Sequence, residues 1–258
     1  MGPRLILLDL DGTVYRGAEP TPFAAETLAE LRKRGVMLRF LTNNSGITRE
    51  EVADRLSGMG IEASPEEVVT SAIGAAALCA ERGWSRVFAI GEPGMVTTFE
   101  QAGITVTNRG RDGRVHAQPY DHAQAVVCGI CRTFSYDLMA SAMRLIRKGA
   151  AFVATNEDAT YPIEKNRLEP GAGSVVAAIQ TCAGQEPIVV GKPEPMLAQM
   201  VLEACGVAPE DALMVGDRLD TDIECGVRAG IATHLVLCGV ERVAPPAQRS
   251  SEDLRGLL

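Results

Sequence analysis

Near its start the chain reads Leu5-Ile6-Leu7-Leu8-Asp9-Leu10-Asp11-Gly12-Thr13, an apolar run that ends in two acids and a turn. The run predicts a buried strand, and the Asp-Gly pair predicts a turn after it. Because side chains alternate along a strand, Asp9 and Asp11 are expected to begin on the same side of its end. Two like charges about 4 Å apart repel by about 4 kcal/mol at an effective dielectric near 20. We therefore expect a divalent cation or a raised pKa at this pair, although a surface Asp-Gly turn has the same pattern.

Three further apolar segments also end in polar groups. Ala212 to Val215 leads into Gly216-Asp217-Arg218-Leu219-Asp220-Thr221-Asp222, Met37 to Leu41 into Thr42-Asn43-Asn44-Ser45, and Ile188 to Val190 into Gly191-Lys192-Pro193. Parallel α/β sheets bind ligands at the carboxyl ends of their strands, so these groups are expected to meet. Hydroxyl, amide and ammonium groups beside carboxylates suit an oxyanion together with a cation.

The composition argues against a membrane protein and against a nucleic-acid partner. Of the 258 residues, 46% are hydrophobic, and no apolar run approaches the ~18 residues that a membrane-spanning helix needs. A net charge of −8 disfavours nucleic acid, which normally needs a basic face. The seven cysteines favour reduced thiols, and Cys128-Gly129-Ile130-Cys131 has no second pair to complete a zinc site. With a strand beginning at Leu5 and no room for a signal peptide, we expect a cytoplasmic protein.

The four polar segments fall in two blocks, residues 1–76 and residues 183–258, separated by residues 77–182. This middle part has strand patterns of its own at Arg86–Ile90, Ile104–Val106, Ala125–Cys128 and Ala151–Thr155. Helical patterns lie between and after them, from Asp137 to Arg147 and from Ser174 to Cys182. Residues 77–182 are therefore predicted to form a smaller α/β domain inserted into the first.

Taken in order, the segments Asp-Leu-Asp-Gly-Thr, Thr-Asn-Asn-Ser, Gly-Lys-Pro and Gly-Asp-Arg-Leu-Asp-Thr-Asp-Ile resemble the four motifs of the haloacid dehalogenase-like hydrolases. The second and fourth resemble the branch that contains the NagD-type nucleotide and sugar phosphatases and the para-nitrophenyl phosphatases. The resemblance implies a Rossmann-like parallel-sheet core in residues 1–76 and 183–258. It also implies that residues 77–182 form a C2-type cap, which selects the substrate and in this branch often joins two subunits into a homodimer.

The resemblance implies a phosphatase that uses Mg²⁺ and an aspartyl-phosphate intermediate. Asp9 is expected to attack phosphorus, and Asp11 to act as general acid and base. Asp9, Asp217 and the main-chain carbonyl of Asp11 are the expected metal ligands. Asp222 is expected to lie behind them and orient a metal-bound water.

Other residues are expected to bind the phosphate group and the rest of the substrate. Thr42, Asn43, Asn44 and Lys192 are expected to bind the phosphoryl oxygens. The substrate is a small phosphorylated metabolite, with sugar phosphates, nucleoside monophosphates, phosphoglycolate and pyridoxal phosphate all open.

A polar segment at a strand end in the insert supplies the candidates for substrate selection. Members of the branch carry Thr-Asn-x-Asp here, usually with Pro at x, and this chain has Glu157 in that position. Pro170-Gly171-Ala172-Gly173 matches the helix entry that follows in the branch. Asn156, Asp158 and Lys165 are the specificity candidates, and the departure at Glu157 leaves the substrate unassigned.

Three other functions fit parts of the pattern. A dehalogenase of the same fold needs neither Asp11 nor Asp217, so both residues argue against it. A phosphomutase keeps the acids but protects the intermediate from water. A non-catalytic interaction protein is expected to have lost a motif residue, and none is lost here.

Overall fold

The computed structural model describes residues 2–117, 122–163 and 167–258. Lys165, a specificity candidate from the sequence, lies outside these ranges. The chain divides into two compact units. We call Met1–Thr42, Arg49–Val69 and Lys192–Leu258 the core unit, and Asn43–Thr48 and Thr70–Gly191 the insert unit. Within the described ranges, no helix combines the length and the apolar character that crossing a membrane requires.

The described strands are, in chain order, β1 (Leu5–Asp9), β2 (Tyr15–Arg16), β3 (Glu19–Pro20), β4 (Met37–Thr42), β5 (Val68–Thr70), β6 (Arg86–Ile90), β7 (Thr105–Val106), β8 (Ala125–Cys128), β9 (Ala151–Ala154), β10 (Thr160–Ile163), β11 (Arg167–Pro170), β12 (Ile188–Val189), β13 (Ala212–Gly216), β14 (Ala232–Val236) and β15 (Ser250–Ser251). The described α-helices are α1 (Ala24–Lys33), α2 (Arg49–Gly58), α3 (Ser71–Glu81), α4 (Pro93–Gln101), α5 (Tyr136–Arg147), α6 (Ala172–Ala183), α7 (Met196–Cys205) and α8 (Glu224–Arg228).

The core unit is built on a six-stranded sheet with the order β15-β14-β13-β1-β4-β5. Strand β1 is buried along its whole length and pairs in parallel with β13 on one side and β4 on the other. An inner strand of a parallel sheet is covered on both faces, which is why β1 reads as a continuous apolar run. Leu8 pairs with Val215 and Asp9 with Leu41, so the three strands end side by side.

Helix α1 of the core unit has the apolar spacing and the terminal charges expected of an amphipathic helix. Its buried residues are Ala24, Thr27, Leu28 and Leu31, which have the spacing of one helical face. Glu26 lies in the first turn, and Arg32 and Lys33 lie in the last turn, where each charge is favourable to the helix dipole.

The insert unit has its own five-stranded sheet, with the order β12-β9-β8-β6-β7 and every neighbouring pair parallel. Strands β6 to β9 correspond to the four strands expected from the sequence. Helix α5 begins where the Ser135 hydroxyl accepts a hydrogen bond from the Leu138 amide at 3.3 Å. An antiparallel pair, β10 and β11, connects β9 to α6.

The insert unit extends beyond the expected residues 77–182 at both ends. At its C-terminal side, β12 pairs with β9, with Ile188 opposite Val153, and so joins the second sheet. The sequence placed this segment in the core because it leads directly into Lys192. Apolar character alone does not say which of two parallel sheets an edge strand joins. The α/β class with parallel sheets, expected from the sequence, is confirmed.

Candidate active site

Three carboxylates meet in the interior of the core unit. Asp9 is the last residue of β1, Asp217 follows β13, and Asp222 lies in the π-helical turn Leu219–Ile223. All three are buried, and each offers a carboxylate oxygen within 4.8 Å of the others. The parallel pairing of β1 with β13 brings Asp9 and Asp217 together, as expected for adjacent strand ends.

Lys192 joins this cluster with its side chain 2% exposed. Its ammonium donates to Asp9 Oδ1 at 2.5 Å, to Asp222 Oδ1 at 2.7 Å and to the Leu41 carbonyl at 3.3 Å. The contact with Leu41 places Lys192 at the end of β4 as well as that of β1. Burial by itself lowers the pKa of Lys192, but Asp222 and Asp9 together raise it above its ordinary value, so the ammonium is charged.

Asp222 is fixed by the turn that precedes it. Its Oδ2 accepts from the main-chain amides of Asp217 at 3.2 Å and Arg218 at 3.1 Å, while its Oδ1 accepts from Lys192. A side chain on Gly216 would not fit, because its Cβ would lie 2.2 Å from Asp222 Cβ. Both carboxylate oxygens of Asp222 are thus engaged by the protein, which supports the expected place behind the metal ligands.

Asp217 is held by the loop after β1 and by the loop after β14. Its Oδ2 accepts from the Val240 amide at 2.6 Å, and its Oδ1 accepts from the Thr13 hydroxyl at 3.4 Å. Gly12 has φ +104°, and a Cβ there would lie 2.3 Å from Asp217 Oδ2. The Asp-Gly pair therefore serves both a left-handed turn and the close approach of a carboxylate.

The cluster fits a divalent cation. Three carboxylates against one ammonium leave a formal surplus of two negative charges in a buried site. Burial, then the charge of Asp222, raises the pKa of Asp9 well above its ordinary value and that of Asp217 to about 6. Asp9 Oδ2 is buried with no hydrogen-bond partner among the described residues. Oxygen donors with unmet negative charge are the donor set that Mg²⁺ and Ca²⁺ prefer, and a bound cation would favour the ionised forms.

Asp11 lies apart from the three clustered carboxylates and is half-buried. Its Oδ2 accepts a hydrogen bond from the Tyr15 hydroxyl at 3.3 Å. Burial raises the pKa of Asp11, while Arg55 and the Tyr15 hydrogen bond oppose that rise. Sequence reasoning did not identify Tyr15 or Arg55. The only available signal was an aromatic hydroxyl one turn after the two acids.

The segment Asn43–Thr48, here called the Asn43 loop, is held by hydrogen bonds within the insert unit. The Asn43 carbonyl accepts from Ser71 Oγ and from Asn156 Nδ2, each at 2.7 Å, and Asn43 Nδ2 donates to Asp158 Oδ2 at 3.1 Å. Asn44 Oδ1 accepts from the Gly46 amide at 2.9 Å. Asn156 and Asp158 therefore contact an expected phosphate-binding residue directly. Thr42, the last residue of β4, is buried in the core unit.

A cavity of about 440 Å³ lies in the insert unit, lined by Ile130, Arg132, Tyr161, Glu169 and Ser174 among others. The Arg132 guanidinium donates to the Tyr161 hydroxyl at 2.8 Å. A Cβ on Gly46 would lie 3.1 Å from Ile130 Cγ2, so the cavity wall adjoins the Asn43 loop. Sequence reasoning missed Arg132 and Tyr161, although Arg132 follows the end of β8, where ligands of parallel sheets collect.

The seven cysteines include the Cys-x-x-Cys pair that the sequence analysis singles out. All seven are free thiols, and Cys128 and Cys131 are both buried. Burial raises the pKa of each of these two thiols. A raised pKa disfavours the thiolate that redox or metal chemistry uses.

Comparison with known proteins gives two family-model matches: the haloacid dehalogenase-like hydrolase model over residues 6–105 and a HAD-hydrolase-like model over residues 189–253. A 5′-nucleotidase of Bacillus subtilis is 36% identical over 237 residues, which are 92% of this chain and 88% of that protein.

Two solved structures are similar over almost the whole chain. A glycerol phosphate phosphatase of Mycobacterium tuberculosis, solved with magnesium, superposes with a TM-score of 0.86 at 38% identity, covering 99% of this chain and 76% of that one. A 4-nitrophenylphosphatase of Thermotoga maritima has a TM-score of 0.89 at 32% identity, covering 99% of this chain and 96% of its own.

Proposed function

This chain belongs to the haloacid dehalogenase-like hydrolases, in their NagD and para-nitrophenyl phosphatase branch, and we propose that it hydrolyses small phosphomonoesters with Mg²⁺ through an aspartyl-phosphate. Its enzyme class is phosphoric monoester hydrolase. The observation that carries the finer proposal is the buried cluster of Asp9, Asp217 and Asp222 around Lys192.

Asp9, Asp217 and the main-chain carbonyl of Asp11 are the proposed ligands of Mg²⁺. Asp9 Oδ2, which has no hydrogen-bond partner in the part of the chain that the structure describes, and the surplus negative charge of the cluster support this choice. When bound, the ion supplies positive charge that balances the carboxylates and the phosphoryl oxygens. Asp222, whose two oxygens are already held by the protein, keeps the geometry of the site from behind.

In the proposed reaction Asp9 is the nucleophile and Asp11 transfers the protons. A carboxylate oxygen of Asp9 bonds to phosphorus while the bond from phosphorus to the leaving-group oxygen breaks, and Asp11 gives that oxygen a proton. Asp11 then takes a proton from a water whose oxygen bonds to phosphorus. The acyl-phosphate bond breaks, which frees inorganic phosphate and returns the Asp9 carboxylate.

Lys192 and the residues at the end of β4 are the proposed phosphate-binding groups. The charged ammonium of Lys192 faces Asp9 and so lies beside the atom that attacks. Thr42, Asn43 and Asn44 offer a hydroxyl and two amides without adding charge. Groups of this kind stabilise the phosphoryl oxygens as charge shifts in the transition state.

We propose the insert unit as the C2-type cap that selects the leaving group. Its cavity beside the Asn43 loop, with Arg132 and Tyr161 in the wall, supports this role. Sugar phosphates, nucleoside monophosphates, phosphoglycolate and pyridoxal phosphate are the substrates to compare. A homodimer through this unit and a cytoplasmic location stay predictions from the sequence.

A phosphate-release screen tests the proposal. The purified protein is assayed on these monoesters and on para-nitrophenyl phosphate, with Mg²⁺ and with excess chelator. We expect Mg²⁺-dependent release of inorganic phosphate, its loss in Asp9→Asn, and its retention in Asp220→Asn, which changes an exposed acid of the same motif as Asp217. Undiminished turnover in chelator contradicts the metal site. Phosphate transfer between positions of a sugar without release supports the phosphomutase alternative, and inactivity on every ester supports an interaction protein.

A further inference from the structure

Asp11 contacts the side chain of Tyr15, and Tyr15 in turn contacts Arg55; the proposed chemistry uses neither of these two residues. Tyr15 is 1% exposed, and its hydroxyl donates to Asp11 Oδ2 at 3.3 Å. The guanidinium of Arg55, from helix α2, lies over the Tyr15 ring with Cζ 4.4 Å from the ring centroid. It also donates to the Gly17 carbonyl.

Main-chain hydrogen bonds in the turn after β1 fix the position of Tyr15. The Gly12 amide donates to the Tyr15 carbonyl at 2.8 Å, and the Tyr15 amide donates to the Leu10 carbonyl at 3.1 Å. The Thr21 hydroxyl closes the same turn by donating to the Thr13 carbonyl at 2.7 Å. The turn after β1 therefore returns the ring of Tyr15 to the side chain of Asp11.

Arg55 is free of competing ion pairs, since no carboxylate of the described residues lies within ion-pair distance of it. A guanidinium over an aromatic face is attracted to the ring and restricts its motion. Because Arg55 also bonds to Gly17, in the turn between β2 and β3, it connects α2 to the segment that carries Tyr15. The ring is thus held on one face by Arg55 and at its hydroxyl by Asp11.

We propose that Tyr15, braced by Arg55, is a positioning residue for Asp11. The phenol holds Oδ2 and leaves Oδ1 as the oxygen that meets the leaving group. Proton transfer requires hydrogen-bond reach between these atoms, so a carboxyl free to rotate delivers its proton less often. The inference rests on the proposed function only through the role of Asp11 as general acid.

Two aryl phosphates of similar shape test the inference. Para-nitrophenolate leaves without a proton, whereas phenolate from phenyl phosphate is more basic and depends more on the acid. We expect Tyr15→Phe to lower kcat/KM for phenyl phosphate about tenfold more than for para-nitrophenyl phosphate, a part of the roughly 10²–10⁴-fold contribution of general acid catalysis. Arg55→Met is expected to act in the same direction and more weakly, because it removes the charge over the Tyr15 ring and the hydrogen bond to Gly17 but keeps the Tyr15 hydroxyl. Tyr136→Phe, which removes a hydroxyl from a 77% exposed tyrosine, is the matched control.

Asp11→Asn and the double variant with Tyr15→Phe separate positioning from structure. If Tyr15 acts through Asp11, adding Tyr15→Phe to Asp11→Asn causes no further change in the ratio of the two substrates. Equal losses on both substrates, no loss on either, or additive losses in the double variant would overturn the inference. If Asp11→Asn itself leaves the ratio unchanged, the acid role of Asp11 fails, and the proposed function fails at that step together with the inference.

Discussion

Replacing Asp217 with Asn is expected to stabilise the metal-free protein while it removes the response to Mg²⁺. Asp217 contributes one of three buried carboxylates whose oxygens lie within 4.8 Å of one another. At 4.8 Å and an effective dielectric of about 20, two unit charges repel by about 3.5 kcal/mol. The variant removes two such repulsions, one with Asp9 and one with Asp222.

Other contacts reduce the gain. Lys192 and Arg218 attract Asp217, and the Val240 amide donates to its Oδ2, so neutralising the side chain weakens favourable interactions as well. An amide oxygen can keep the hydrogen bond, at a cost of about 0.5–1.5 kcal/mol for imperfect geometry. If the lost attraction to Lys192 cancels about one of the two repulsions, about 3.5 kcal/mol, the remainder less the hydrogen-bond cost gives a net increase of about 2–3 kcal/mol in the free energy of unfolding without metal, or about 4–12 °C in Tm.

Thermal denaturation in chelator and in excess Mg²⁺ measures both parts of the prediction. The wild-type protein should gain about 2.7 kcal/mol at a Mg²⁺ concentration of 100 times Kd, and the variant should gain little. Phosphatase activity should be lost. Asp220→Asn, which removes an exposed charge paired with Arg218, should keep the metal response and the activity. The reasoning is refuted if Asp217→Asn is less stable than wild type in chelator, or if it keeps the full gain from Mg²⁺.

Three further predictions concern the nucleophile, a buried histidine and substrate choice. Asp9→Asn should give no covalent phosphate by mass spectrometry, whereas Asp11→Asn should trap phosphate from para-nitrophenyl phosphate; turnover by Asp9→Asn would exclude it as nucleophile. His234 is buried, bonds Ser251 through Nε2 and has no partner for Nδ1 among the described residues, and burial lowers its pKa to about 4. As the pH falls below 6.5, His234 takes up a proton in the unfolded chain, whereas in the folded protein it does so only near pH 4. The free energy of unfolding therefore decreases as the pH is lowered from 6.5 to about 4. Between pH 7 and 5, denaturant titration should show wild type losing about 1–2 kcal/mol more than His234→Gln; parallel curves would contradict this. Arg132→Ala should change the ranking of substrates in kcat/KM and leave para-nitrophenyl phosphate within about tenfold. Asp158→Ala should lower kcat/KM for all substrates, because Asp158, a specificity candidate from the sequence, accepts a hydrogen bond from the expected phosphate-binding residue Asn43; the reverse pattern would exchange the two roles.

The sequence could predict the carboxylate cluster because it depends on one rule of parallel sheets. Asp9 and Asp217 each follow an apolar run, and the carboxyl ends of the neighbouring strands β1 and β13 lie together. The rule does not account for Lys192, because the strand before it, β12, belongs to the second sheet. The place of Asp222 was harder to foresee from spacing alone. A π-helical turn returns its side chain to the amides of Asp217 and Arg218, and such a turn has no periodic signature in the sequence.

Side-chain contacts between segments that are distant in the chain could not be predicted from the sequence. Arg55 meets Tyr15, and Arg132 meets Tyr161, only because helices and loops from different parts of the chain pack together. Periodicity identifies the buried face of an element but not the partner of a polar side chain. The pairing of β12 with β9 could not be predicted for the same reason, because it is a property of the second sheet as a whole.

The charge of the cluster explains why one set of residues can serve both binding and catalysis. Three buried carboxylates around one ammonium are unfavourable without a cation, as the raised pKa values of Asp9 and Asp217 express. A substrate phosphate adds more negative charge to the same place, so phosphate binding by Lys192 alone would have to overcome the repulsion of the carboxylates. A divalent cation removes that conflict, because it balances the surplus charge and leaves the ammonium for the phosphoryl oxygens. Metal binding and substrate binding should therefore be coupled, with phosphate affinity falling in chelator even where the fold is intact.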